Sequence, residues 1–408
     1  MRLPRHDEPR RALVLGAGAA YGAFQVGVLR HLIGRRRTYF SMMTGASVGA
    51  LNAAILAQAE GPEELVHPYL QRLQNIWRGI HSSWQIMGRP WARDGLLGLL
   101  ARLVYSAPCT LEPLRKLAEE HVDPGRLKES PITLAIDVAC LNTGRIAVIR
   151  PEDPHFLDFL IASCSMPMFF PPVRIGAYTI PRECCESLGL SDGACSDLRG
   201  LPFPSRASLD RRLRNMGVYG DLSRNEVESL GHRLWRNAKF QPDLLWCDAY
   251  MRRILPLTSA LKMCPEEVTV VPALPPSIDS DGPDGESKNL KSYMPRFEQT
   301  IGIFCQEVQR TNAATAGVLN NVLGLWAALD LRLPDDAPLR RSSAWQNMED
   351  YLGRYHYVPE ITVISPEPDF VKGDPLDFDP ERINSLMKHG QQRAARAVPV
   401  EEPVLTAS

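Results

Sequence analysis

The chain has 408 residues, with 46 Lys and Arg against 47 Asp and Glu, a formal charge of −1. That balance excludes a chain-wide basic field for nucleic acid, and 44% hydrophobic with 23% charged residues excludes a wholly disordered polypeptide. The length predicts one large domain or two ordinary ones, and 34 prolines, about 8% of the chain against the usual ~5%, predict long irregular connections.

Residues 1–10 read as a disordered N-terminus. They hold no apolar run before Ala12, so no secretory signal is expected. Two uncharged runs, Ala12–Leu29 and Thr38–Ala59, reach spanning length. Gly, Ser, Thr, Asn and Gln interrupt both, and the expectation is a soluble protein. The nine cysteines follow no C-x-x-C spacing, which predicts reduced thiols in a cytosolic setting.

The run Arg11–Leu15, closed by Gly16, reads as a buried parallel strand entering a glycine turn. Apolar positions from Ala23 to Ile33 recur at three and four and predict a helix. A second strand over Tyr39–Met43, a turn at Gly45 and a helix over Ala50–Ala59 repeat the pattern. Strand, glycine turn, helix, twice over, predicts an α/β fold with a mainly parallel sheet. Residues 60–110 lose that rhythm. Trp77, Trp84 and Trp91 punctuate them, and Trp84–Tyr105 reads equally as a lipid-facing lid or as core. A helix is expected over Leu111–Glu120, then a hairpin of Ile132–Cys140 and Arg145–Ile149 turning at Asn142-Thr-Gly144.

Residues 181–243 are arginine-rich and without sustained periodicity. Eight Lys and Arg against four Asp and Glu between 204 and 240 read as a solvated face rather than a phosphate reader. Regular structure resumes at Leu244–Cys247, Pro256–Met263 and Glu267–Val271. A loop over 276–292, helices over 295–330, a strand Ile361–Ile364 and a helix Pro380–Ala397 complete the expectation. This divides the chain into a catalytic domain over 11–275, carrying an insertion over 181–243, and an extension over 276–400.

Gly45-Ala-Ser47-Val-Gly49 is a G-x-S-x-G between an apolar strand and an Ala/Leu helix. A nucleophilic serine must stand exposed on a strained strand-to-helix turn, and flanking glycines let the backbone pack closely there. Gly16-Ala-Gly18-Ala-Ala-Tyr-Gly22 also follows a strand. Its last glycine falls one place late for a dinucleotide fingerprint, and no Gly-Lys-Ser/Thr follows for a phosphate loop. Backbone N–H groups of Gly18, Ala19 and Ala20, aimed at an oxyanion beside Ser47, suit such a turn best.

Together these segments resemble the patatin-like phospholipase family. The likeness runs through Gly16–Gly22, Ala23-Phe-Gln-Val-Gly-Val-Leu29 and Gly45–Gly49. It continues in Leu141-Asn-Thr-Gly-Arg145, Ala162-Ser-Cys-Ser-Met-Pro-Met-Phe-Phe-Pro-Pro172 and Leu376-Asp-Phe-Asp379. The resemblance implies a three-layer α/β acyl hydrolase with a Ser–Asp dyad, acting on lipid esters or phospholipids without metal or cofactor. An insoluble substrate class combined with the apolar stretch Trp84–Tyr105 predicts peripheral contact with a membrane, at its inner face, and the charge balance predicts no nucleic-acid partner. Tyr21 stands where the family has arginine and Ala19 where it has glycine, so a catalytically impaired lipid-binding or regulatory scaffold is the alternative.

Two aspartates compete as the base. Asp192, in Ser191-Asp-Gly-Ala194, matches the family's D-G-[AG]. Asp248 lacks that glycine but follows an apolar strand and precedes a matching helix and strand. The sequence leans narrowly to Asp248. A Ser-His-Asp triad is disfavoured, because His232, His356 and His389 lack a turn-like context. Cys184, Cys185 and Cys195 have no partner at metal-ligand spacing and read as ordinary thiols.

Overall fold

The computed structural model describes residues 9–88, 109–167, 169–181, 183–184, 198, 201–214, 224–275, 293–330 and, with short gaps, 332–398. Strand β1 (Arg11–Leu15) leads through the glycine turn into α1 (Gly22–Leu29), and β2 (Met42–Ala46) leads directly into α2 (Val48–Leu56). Helices α3 (Gln71–Gly79) and α4 (Glu112–His121) follow, then β3 (Thr133–Cys140), β4 (Arg145–Ile149) and α5 (Phe156–Ser163). Strands β5 (Val173–Arg174) and β6 (Ala177–Thr179) come next, and the inserted region holds β7 (Pro202–Phe203), α6 (Arg206–Arg214), α7 (Arg224–Arg236) and β8 (Lys239–Gln241). The chain returns through β9 (Leu245–Asp248), α8 (Leu257–Leu261), β10 (Glu267–Val271), α9 (Tyr293–Asp330), β11 (Glu360–Val363) and α10 (Pro380–Ala397).

The central sheet runs β11-β10-β1-β2-β3-β9-β5, with β4 also on β3. The pairs from β11 to β3 are parallel, whereas β9, β5 and β4 join antiparallel. The fold is α/β with a mainly parallel sheet. Strand β1 shows why it is layered on both sides. Leu13 and Leu15 enter the core built with α1 and α2, while Ala12 and Val14 enter a second core with α8 and α9. A strand buried on both faces reads as a continuous apolar run, as parallel strands do.

Helix α10 crosses α1 where each contributes one glycine. A Cβ on Gly27 would overlap the Met387 carbonyl, and one on Gly390 would overlap the Phe24 carbonyl. Among the described residues no helix is long and apolar enough to cross a membrane.

Three expectations shift. Strand β2 begins at Met42, not Tyr39; Tyr39 and Phe40 are buried, but an apolar run marks burial and does not set register. The stretch 60–110 contains the amphipathic α3, which buries Leu73 and Trp77. The segment 181–243, expected to be irregular, holds two helices and part of a three-stranded sheet, β7-β6-β8. Leu201, Phe203, Leu209, Leu213 and Leu234 give it a small core of its own. The apolar positions there are too few per element to show a period.

Candidate active site

Register brings two of the expected residues together. Strand β2 pairs along β3 as far as Ala46 opposite Asp137. Strand β4 covers the other edge of β3 over residues 136–140. Strand β9 therefore takes up the β2 edge where β2 leaves it, with Asp248 opposite Val138. Ser47 follows Ala46 directly, so the first residue past β2 and the last residue of β9 meet. Ser47 and Asp248 line one cavity.

The turn after β2 is strained. Ser47 has φ 54° and ψ −130°, a left-handed conformation that a side chain adopts at a cost of about 1–3 kcal/mol. Close packing demands the glycines on either side. A Cβ on Gly45 would overlap Ala50, and one on Gly49 would overlap the Leu15 carbonyl of β1. The strain is held by a hydrogen bond. Ser47 N–H donates to Ser163 Oγ at 3.1 Å, and Ser163 Oγ donates to the Asp137 carbonyl at 2.8 Å.

Asp248 is held from the same segment, since its N–H donates to the Ser165 carbonyl at 2.9 Å. Its Oδ1 accepts from Tyr250 N–H at 2.9 Å, and its buried Oδ2 has no partner of hydrogen-bond geometry. Burial pushes the Asp248 carboxyl up to about 7, against the opposing pull of the Ser47 hydroxyl and the Tyr250 N–H. The hydroxyl is thus near enough to be felt but not seated on Oδ2. A carboxyl poised near neutrality suits a general base. Asp192 lies outside the described residues, as do Cys185, Cys195, Trp91 and His356.

The glycine turn is anchored by a side chain that sequence reasoning passed over. Gln25 Nε2 donates to the carbonyls of Gly16, at 2.8 Å, and Val271, at 3.1 Å. Its Oε1 accepts from Asn52 at 3.0 Å, and Asn52 Oδ1 accepts from Trp77 Nε1 at 3.0 Å. Of the three amides expected to face an oxyanion, Ala20 N–H donates to the Pro375 carbonyl at 3.0 Å. The Gly18 and Ala19 amides make no hydrogen bond among the described residues. Tyr21 is buried, and its hydroxyl accepts from Arg382 Nη2 at 2.9 Å, with the guanidinium 5.1 Å from the ring centre. A cation from α10 thus stands beside the glycine turn.

The cavity is partly open to solvent and spans about 760 Å³ of space not occupied by atoms. Its walls are apolar, with Leu51, Ile55, Leu73, Trp77, Leu117 and Phe170 among them. Leu376 and Phe378, on the segment before α10, also line it. Cys164 does too, but burial and then the Asp248 charge push its thiol well up, so it stays neutral. The described histidines play no part here. His232 is exposed, and His389 is buried against Phe370, accepting from Glu367 N–H at 3.1 Å. Among the described residues no group of His, Cys, Asp and Glu is placed to hold a metal ion.

Ser163 and Ser165 lie within the Ala162–Pro172 block. That block was the one available signal for their role.

Comparison with known proteins agrees at the level of family. Residues 13–202 match the family model described as patatin-like phospholipase. The crystal structure of VipD from Legionella pneumophila is similar over 41% of this chain and 44% of its own, less than half of each, at 16% identity and a TM-score of 0.24. No curated protein matches the chain by sequence. Over residues 13–202, somewhat less than half of its length, the chain is therefore similar to the patatin-like phospholipase family.

Proposed function

We propose that the protein is a serine acyl hydrolase of the phospholipase A or esterase type, with Ser47 as nucleophile and Asp248 as base. The observation that carries this reading is the pairing, in one apolar cavity, of a strained elbow serine with a buried carboxylate oxygen lacking a partner. Ser47 Oγ attacks the ester carbonyl carbon while its proton passes to Asp248. The oxyanion is held by the Gly18 and Ala19 amides, with the positive end of α2 nearby. The ester bond breaks, and the Asp248 proton leaves with the alcohol. Water, deprotonated by Asp248, then hydrolyses the acyl-serine to release the fatty acid and restore Ser47. The apolar walls take the acyl chain. No step calls for a metal or organic cofactor.

The substrate class carries the chain to a membrane surface, at the cytoplasmic face. Trp84, 48% exposed, opens the apolar stretch Trp84–Tyr105, of which residues 89–105 lie outside the described residues. Sedimentation with anionic liposomes should weaken for Trp84→Ala, and high-pH carbonate should release the protein.

Purified protein should hydrolyse p-nitrophenyl esters, and a fluorophosphonate should label Ser47. Ser47→Ala should abolish both while circular dichroism stays unchanged. One observation favours the second reading, an impaired lipid-binding scaffold: the Pro375 carbonyl occupies the Ala20 amide. Lipid binding without Ser47-dependent ester release across several acyl lengths would establish that reading instead.

A further inference from the structure

A second cleft, sharing no lining residue with the Ser47 cavity, lies between the end of β4, the β7–α6 segment and the end of α8. Four cations line it: Arg150, Arg211, Arg212 and Lys262. Among the described residues no carboxylate does.

The neighbouring acid is already committed. Asp153, whose side chain is fully buried, pairs with Arg211 at 2.5 Å and accepts from Ser205 Oγ at 2.9 Å and from the Arg150 N–H at 3.0 Å. Glu152, mostly exposed, approaches Arg211 only at 4.0 Å. Lys262 lies over the Tyr355 ring, 5.0 Å from its centre. The Arg150 guanidinium is partly buried and makes no ion pair or hydrogen bond among the described residues. Burial, then repulsion from Arg211, pulls its proton affinity below that of an ordinary arginine, against the opposing pull of Glu152 and Asp153.

An arginine has five N–H donors in a rigid fork. Withdrawn from water with those donors unmet, it costs stability, and two further arginines and a lysine on the same walls raise the cost. An oxyanion with several acceptor atoms resolves both demands together. Tetrahedral phosphate matches arginine forks, and its double charge answers several cations where a single carboxylate answers one.

We propose that this cleft is a binding site for a phosphate group, with Arg150 as its principal ligand and Lys262 on the facing wall. The proposal is independent of the hydrolase reading, since the two cavities share no residue. The phosphate belongs either to a free anion or to a phosphomonoester lipid headgroup, and the test separates these.

The full-length protein is titrated calorimetrically with inorganic phosphate, and in parallel sedimented with phosphatidylcholine vesicles with or without phosphatidic acid. Saturable phosphate binding is expected in the wild type and unchanged in Ser47→Ala. Arg150→Gln should weaken it about tenfold or more, the scale of losing a charge-assisted bidentate contact. Arg150→Lys should recover part of it. Lys262→Gln weakens binding from the opposite wall and serves should Arg150→Gln not fold. Arg150-dependent sedimentation specific to phosphatidic acid identifies a headgroup site, and phosphate binding without it identifies a soluble anion. The proposal is overturned if phosphate does not bind, or if binding survives both Arg150→Gln and Lys262→Gln in folded protein.

Discussion

Strands β3 and β9 each bury a carboxylate, and the two could hardly be treated more differently. Asp137 on β3 accepts from Ser259 Oγ at 2.9 Å and pairs with Arg253 at 3.0 Å. Asp248, one step away across the β3–β9 pairing, has one oxygen bonded and the other empty-handed. Equal burial therefore marks no common role. A satisfied buried acid holds elements together, whereas an unsatisfied one keeps a lone pair for chemistry.

Replacing each acid in turn is the sharpest way to break that distinction. Asp248→Asn should lower kcat by about 10²–10⁴-fold, the range for a general acid–base, with the fold retained. Comparable losses from Asp248→Asn and Asp137→Asn in ester hydrolysis would erase the contrast.

The pH profile follows from the same contrast. Only ionised Asp248 accepts the serine proton, so kcat/KM should rise about tenfold per pH unit up to about 7 and then level off. Stability moves the other way. A carboxyl raised in the folded state favours its neutral form there, so its contribution is complete below about pH 4 and is lost as pH rises through about 7. Asp248→Asn should therefore be more stable than wild type at pH 8, by up to roughly 4 kcal/mol, and equal to it near pH 4. Denaturant titrations at the two pH values check this. A wild-type advantage at pH 8 would contradict it.

Smaller effects test the segment joining the two acids. Ser163→Ala removes the acceptor of the Ser47 N–H and should lower kcat about fivefold with KM unchanged, as for a loss of about 1 kcal/mol of positioning. Ser163→Thr, which keeps the hydroxyl, should recover most of it. An equal loss in both variants would point to packing. Asp137→Asn is expected to leave kcat within a few-fold of wild type. It should cost about 1–3 kcal/mol of unfolding free energy through the weakened Arg253 and Ser259 bonds.

Legibility in the sequence tracked the distance between partners. The elbow was readable because Gly45, Ser47 and Gly49 answer to one turn. The parallel strands were readable because β1 and β10 are buried on both faces. Asp248 was half readable. Its apolar approach is local, but its meeting with Ser47 depends on the register of β9 along β3, which no single segment encodes. Ser163 and Gln25 passed unremarked because they act on groups 116 and 246 residues away. The Pro375 contact with Ala20 was hidden for the same reason. The order within 181–243 was missed because its short elements each supply only two or three apolar side chains to a shared core.

The pairing of β1 with β10 reaches into the making of the chain. Leu15 sits opposite Val271, and the Gln25 side chain closes on the Val271 carbonyl. A ribosome adding ~5–20 residues per second needs roughly 10–50 s to travel from one to the other. Through that interval β1, apolar on both faces, keeps an open edge able to join strands of other chains. The glycine turn and the elbow that pack against β1 wait with it. What is synthesised first is thus seated among the last, since β1 gains its β10 neighbour only once residue 271 has emerged.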